Sequence, residues 1–248
     1  DQLGQVSAVS LNSGLSVSAD LVVLAIVVIP NTKLAQDAGL SLGGTGGITV
    51  NHHMQTDDPA IYAVGDAVEY PFGPTGGWQR VALGGPANRA GRIAGEHAAV
   101  GSSGSMAPVR GTAIVRVFDL AAASTGLSEK AAAKHNIAAR SVTSIAAHHA
   151  GYYPGAKPVT LKLVFQPQTG KVLGAQAIGE AGVDKRIDVI ATAMHFGATV
   201  RDLAGLDLAY APPFGAAKDP VHMAAFAAAN WLDGWAQFLP PDADLSDY

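Results

Sequence analysis

The residues most able to do chemistry stand in two short strings. In Ile61-Tyr62-Ala63-Val64-Gly65-Asp66-Ala67 an apolar run ends in Gly-Asp. That is the pattern of a strand whose carboxyl end lets backbone approach another molecule closely. An aspartate there can accept hydrogen bonds from a sugar-like hydroxyl. It can equally cap the segment that follows. In Val81-Ala82-Leu83-Gly84-Gly85-Pro86, small residues precede a helix start. The free N–H groups of such a start favour partial negative charge; the plainer reading is an ordinary helix opened by proline. Two histidine pairs complete the set. His52-His53 reads as a surface turn. His148-His149 has no further ligand nearby in the sequence, so no metal centre is expected.

Composition narrows the chemistry. Cysteine is absent from all 248 residues, which removes disulfides, thiolate zinc sites and any cysteine nucleophile from this chain. Sixteen Lys and Arg against twenty Asp and Glu leave a net charge of −4, without a basic stripe. Nucleic acid is therefore not an expected partner. The longest apolar run, residues 21–29, has nine residues, well short of the ~20 that a membrane span needs. No membrane partner is expected. The sequence opens on Asp1 with no charged-then-apolar leader, and reads as a fragment or a processed product. Its 46 Ala and 29 Gly predict close backbone packing and easily formed helices.

The elements that must position these residues follow from periodicity and turn chemistry. Residues 1–18 suit a hairpin or edge strands. The β-branched run 21–29 predicts a strand covered on both faces, as in a parallel sheet. A short helix is expected over 32–38, closed by Gly39, then short strands over 48–50 and 61–64 and a Gly/Pro-rich loop over 71–77. A helix opening at Gly85-Pro86 runs to about Val100. Residues 101–108 are the best linker. Beyond them come a strand over 112–118, a helix over 128–134 capped by Ser128, and a strand over 140–146. A hairpin joins 159–165 to 172–178 around Pro167-Gln168-Thr169-Gly170. Helices follow over 184–196 and 219–231. Strands and helices in blocks predict an α+β second domain. The tail from Phe238 reads as a linker leaving the fold.

Three stretches carry a resemblance: ADLVVLAIVVIPNTKLAQDAGL, GGITVNHHMQTDDPAIYAVGDAVE and VALGGPANRAGRIAGEHAA. They resemble the second half of the pyridine nucleotide–disulfide oxidoreductases. HHAGYYPGAKP and LDLAYAPPFGAAKDPVHMAAFAAAN are similar to the coenzyme A disulfide reductase branch, next to the NADH oxidases and peroxidases. The resemblance covers roughly residues 20–231.

It implies an α/β remaining part of an FAD- and NAD(P)-binding Rossmann-like fold, followed by an α+β dimerisation domain. Residues 1–30 would be the tail of an NAD(P)H-binding domain, 31–105 the C-terminal part of the FAD domain, 109–235 the dimerisation domain and 236–248 a linker. Gly65 and Asp66 would meet the FAD ribityl chain. The backbone of Ala82, Leu83 and Gly84 would face the flavin's pyrimidine edge, where charge develops on reduction. Across a homodimer, Tyr152 and Tyr210 would serve catalysis at the partner's flavin and redox cysteine. Lys218 and His148 would lie near a coenzyme A disulfide. A tyrosine hydroxyl can bond or protonate a leaving thiolate, and a lysine supplies charge for phosphate.

The resemblance also implies a cytoplasmic enzyme using FAD and NAD(P)H. An NADH oxidase or peroxidase is the alternative enzyme, and a non-catalytic dimerisation module the alternative from another class. The family's G-x-G-x-x-G phosphate loops and redox cysteine do not occur in this chain. The glycines of 43–47 lack that spacing. A further departure lies at Val27 and Ile29, where the family pattern has Gly and often Arg. The chain alone is expected to be inactive.

Overall fold

The computed structural model describes residues 5–25, 28–102 and 104–239. They divide into two compact units, one through Asn31 and one from Thr32. In the first unit, β1 (Ala8–Ser10) and β2 (Ser16–Ser18) form the expected hairpin, with Val9 opposite Val17. The run after it differs from expectation. Residues 21–25 and 28–29 form no strand, and Leu21, Val23, Leu24 and Ile29 are each more than three-quarters exposed. Covering such a run needs neighbouring strands and helices on both faces. Among the described residues β1 and β2 pair only with each other and this unit has no helix, so apolar composition alone does not make a strand.

The second unit opens with α1 (Lys33–Asp37), which Gly39 follows as expected. The strands expected over 48–50 and 61–64 reduce to isolated bridges, Ile48 to Leu42 and to Val68, and Tyr62 to Gln55. Turns on either side stop each run before a ladder can grow. The glycines of 43–47 have a different use from a phosphate loop. They wrap the buried carboxylate of Glu69, which accepts from the Thr45 N–H at 2.6 Å and its hydroxyl at 2.7 Å. A Cβ on Gly43 would lie 2.1 Å from Glu69 Oε2, so any other residue there would have to displace that carboxylate from its Thr45 bonds. Within the loop expected over 71–77 the chain forms a hairpin, β3 (Glu69–Phe72) with β4 (Gly77–Arg80).

Helix α2 (Gly84–Val100) starts after an extended Leu83, and Pro86 occupies its third position, not its first. Pro86, Ala90 and Ala94 are buried, and the two alanines pack in a core with Met54, Val68, Tyr70 and Phe72. The segment expected as a linker is pinned. The Met106 N–H donates to His52 O at 2.8 Å and the Val109 N–H to Pro71 O at 2.8 Å. Both side chains are buried in the same core, which also takes in Leu127 and Ala132.

A five-stranded antiparallel sheet follows. Its strands are β5 (Ala113–Val117), β6 (Leu120–Gly126), β7 (Arg140–Ala147), β8 (Pro158–Phe165) and β9 (Val172–Gly179), in the order β5-β6-β9-β8-β7. The Ser128 hydroxyl caps α3 (Glu129–Lys134) as expected, accepting from the Ala131 N–H at 3.2 Å. Helices α4 (Val183–His195) and α6 (Pro220–Leu232) join the sheet in one core. Between β9 and α6 lies the short α5 (Val200–Ala204), closed by a Thr199–Asp202 capping box. Leu161, Leu163 and Phe165 are fully buried beside Ile187, Ile190, Ala224 and Ala228; burying each large side chain contributes roughly 1.5–3 kcal/mol. Ala123, Ala175 and Ala177 on the strands and four alanines and a valine on α6 show where the small-residue composition goes: into close helix–sheet contact. Among the described residues no helix is long and apolar enough to cross a membrane.

Candidate functional site

The sequence-predicted residues gather in two places. At the first, Gly65 takes a left-handed backbone, φ +94°, between the bridge at Tyr62 and β3. Its N–H donates to Tyr70 Oη at 2.9 Å, and that hydroxyl donates back to Gly65 O at 2.9 Å. Burial holds the Tyr70 phenol above its usual value, and the Asp66 carboxylate adds to this. The buried ring thus fixes the turn and leaves Asp66 exposed beside it. Leu83 stands in extended conformation at the start of α2, and no side chain caps that end. A Cβ on Gly84 would meet nothing within 4 Å. Asp66 thus offers an exposed carboxylate, and α2 an uncapped start. The residue types suit a flavin nucleotide: a carboxylate that can accept from hydroxyls, and free backbone N–H groups at a helix start. Val27 lies outside the described residues.

At the second place, the loop after β7 and the loop before α6 meet. Tyr152 and Tyr210 are 58 residues apart in sequence, yet their hydroxyls lie 3.1 Å apart. The rings are 77% and 49% exposed, so the pair faces outward. The hydrogen bond to Tyr210, with the cost of a second charge beside it, holds the Tyr152 phenol above its usual value. It therefore stays a neutral O–H at physiological pH. The loops are joined directly, since the Ala150 N–H donates to Gly215 O at 2.8 Å. His148 closes its own loop: its Nδ1 accepts from the Lys157 N–H at 3.0 Å. Partial burial pushes the His148 imidazole below its usual value, with the neighbouring His149 and Arg186 charges acting the same way. Lys218 is exposed and forms none of the ion pairs among the described residues. The buried ring of His149 lies against His148 and edge-on to Tyr153.

The geometry adds residues that the spacing did not single out. Arg186 on α4 is 1% exposed and holds Asp219 side-on, Nε to Oδ1 at 3.2 Å and Nη2 to Oδ2 at 2.6 Å. Asp219 also caps α6 by accepting from the Val221 N–H at 3.0 Å. A signal for both was present. Arg186 falls in the helical stripe Val183, Ile187, Ile190, Met194, where a charge is out of place unless paired. Asp219-Pro220 is a helix-start pair. The two places share no hydrogen bond, ion pair or ring contact with each other among the described residues. His52 and His53 lie in a turn as expected, with His53 stacked on His97, which bonds Tyr62 Oη at 2.6 Å. Among the described residues no group of three or more ligating side chains could hold a metal.

Two family models cover most of the chain: the pyridine nucleotide-disulphide oxidoreductase model matches residues 1–94, and that family's dimerisation domain matches 112–220. The chain belongs to the pyridine nucleotide-disulphide oxidoreductases. The expected fold, part of a nucleotide-binding α/β domain followed by an α+β dimerisation domain, is the fold of this family. The NAD(P)H sulfur oxidoreductase (CoA-dependent) of Pyrococcus abyssi is 38% identical over 203 residues, 82% of this chain and 45% of that protein. A coenzyme A disulfide reductase of Staphylococcus epidermidis is 34% identical over 220 residues, 89% and 50% respectively. The crystal structure of reduced Bacillus anthracis CoADR-RHD superposes with a TM-score of 0.84 at 46% identity, covering 94% of this chain and 42% of that one. The chain spans about half the length of the curated relatives it matches.

Proposed function

We propose that this chain is the flavin-facing and dimer-forming portion of an FAD-dependent, cytoplasmic NAD(P)H:disulfide oxidoreductase that acts on coenzyme A disulfide. Within it, residues 1–30 end an NAD(P)H-binding domain, 31–105 complete the FAD domain, 109–235 form the dimerisation domain and 236–239 begin a linker; residues 240–248 lie outside the described residues. Gly65 and Asp66 would hold the ribityl hydroxyls, and the backbone at Ala82, Leu83 and Gly84 the pyrimidine edge. The flavin supplies the electrons that NAD(P)H delivers.

The observation that carries the reading is the outward-facing Tyr152–Tyr210 pair. Reducing a disulfide takes two electrons and two protons and releases two thiols. The sulfur that leaves does so as a thiolate, and a neutral phenol within reach stabilises it or gives it a proton. Tyr210 is the donor in this reading and Tyr152 its helper. Lys218 and His148 stand on the same two loops, where an ammonium can pair with the phosphates of coenzyme A. Relatives named for coenzyme A chemistry support the substrate class. Among the described residues the two tyrosines share no hydrogen bond, ion pair or ring contact with the Asp66 side, which suits a pair serving the partner subunit of a homodimer.

The test is Tyr210→Phe in the protein that carries this chain, since it removes one hydroxyl and keeps the ring. Losing such a donor in a dry site costs ~2.7–4 kcal/mol of barrier. With partial exposure we expect at least a ~10-fold fall in coenzyme A disulfide turnover, while flavin reduction by NAD(P)H stays normal. Unchanged disulfide turnover would overturn the reading and favour oxygen or peroxide as the acceptor.

A further inference from the structure

The loop from β7 to β8 and the loop from α5 to α6 carry the two tyrosines, yet neither belongs to the sheet. Apart from the Ala150–Gly215 backbone bond, one side chain hydrogen-bonds to both sides of this junction among the described residues. Arg186 Nη2 donates to His148 O at 2.6 Å as well as to Asp219. Its Nη1 donates to Gly182 O at 3.2 Å, at the start of α4. Gly182 has φ +72°, and a Cβ there would come within 2.4 Å of Arg186 Nη1 and 3.0 Å of His148 Cβ. The backbone is thus shaped around the guanidinium. A side chain with four bonds aimed at three separate segments fixes their mutual position; a packed hydrophobe could fill the same space but could not set that register.

We propose that the buried Arg186–Asp219 pair is the positioning device of the Tyr152–Tyr210 hydroxyls, holding the two loops at the separation that lets the phenols share a hydrogen bond. A buried ion pair is poorly explained as a source of stability, because replacing both partners by neutral groups is often neutral or stabilising. What the pair provides here is geometry: a rigid fork on a helix packed into the sheet core, reaching the residue four before Tyr152 and the cap that ends the Tyr210 loop. The proposal rests on the reading of the tyrosines as the acceptor-side donors, but its primary test does not.

Arg186→Met/Asp219→Asn removes both charges together, so neither is left buried alone, and Asn keeps the cap on α6. Arg186→Lys keeps the charge and loses the fork that reaches His148 O. Each is made in the protein that carries this chain, and phenol ionisation is followed by ultraviolet absorbance, as the difference from the matching Tyr152→Phe protein. The Tyr152 titration is expected to fall back toward the ordinary value of about 10 in both variants. Coenzyme A disulfide turnover is expected to fall at least ~10-fold, with the flavin reduced by NAD(P)H at the normal rate. A folded variant of either kind with an unmoved Tyr152 titration overturns the proposal. A moved titration with unchanged disulfide turnover upholds the positioning role and instead overturns the catalytic reading of the pair.

Discussion

Two hydroxyls 3.1 Å apart can act as one group, and that is a statement that mutation series can check. If Tyr152 orients Tyr210, then Tyr152→Phe and Tyr210→Phe remove the same interaction. Their combined effect on disulfide turnover should be well below the sum of the separate effects; additive losses measured in the double variant would show two independent groups. His148 gives a pH prediction at the same scale. Its folded value is depressed, chiefly by partial burial. The unfolded chain then binds the proton first, so stability falls as pH drops below about 6.5. His148→Asn keeps an acceptor near the Lys157 N–H and does not titrate. Urea midpoints at pH 7.5 and 5.5 should differ less for His148→Asn than for the unaltered chain; equal differences would refute the assignment. Sequence reading could reach these residues as chemistry-bearing types, but not their pairing. Tyr152 and Tyr210 stand in loops with no periodicity, and only tertiary structure brings them together.

Elements with a closed local logic were legible. Ser128 at a cap, the Pro167–Gly170 turn and the amphipathic run after Gly182 each specify an element through contacts within a few residues. Elements that need distant partners were not. The run over 21–29 has the composition of a buried strand and lacks neighbours among the described residues. The β3–β4 hairpin hides behind proline and glycine because its side chains, Glu69 above all, answer to the 43–47 turn and not to an alternating face. The capping box of α5 also escaped notice, although its Thr199–Asp202 spacing is a sequence signal. It carries its own prediction. Thr199 backbone and hydroxyl bonds hold the Asp202 carboxyl below its usual value. This contribution is present above about pH 4 and is lost as pH falls through the lower folded value. Thr199→Ala should cost ~1 kcal/mol at neutral pH and flatten the acid limb of a denaturation curve between pH 5 and 3. No change in that limb would mean that water replaces the cap.

At the scale of the molecule, the second unit exposes more apolar surface than a self-sufficient domain needs. On the sheet face turned away from α4 and α6, Val115, Val117, Ile145 and Ile178 are 44–71% exposed; in loops elsewhere, Phe118, Phe196 and Phe214 are each about three-quarters exposed or more. Scattered exposed hydrophobes are ordinary; a concentration of large ones marks a surface that is covered in the working assembly. The matched dimerisation model spans all of these positions, and obligate homodimer interfaces are large and apolar. A two-fold pair would also account for the exposure of the two tyrosines. We therefore expect this chain to behave as a homodimer, with light scattering at micromolar concentration giving about twice 25.2 kDa; one subunit mass would contradict it. Flavin content is separable from assembly. In the proposed reading Asp66 and the start of α2 would meet only a ribityl chain and a ring edge, whereas the diphosphate of a dinucleotide is ordinarily held by a G-x-G-x-x-G loop at a helix start, and this sequence has none. The same preparation should accordingly be a colourless dimer, and flavin absorbance that survives gel filtration would show that the Asp66 side suffices for binding.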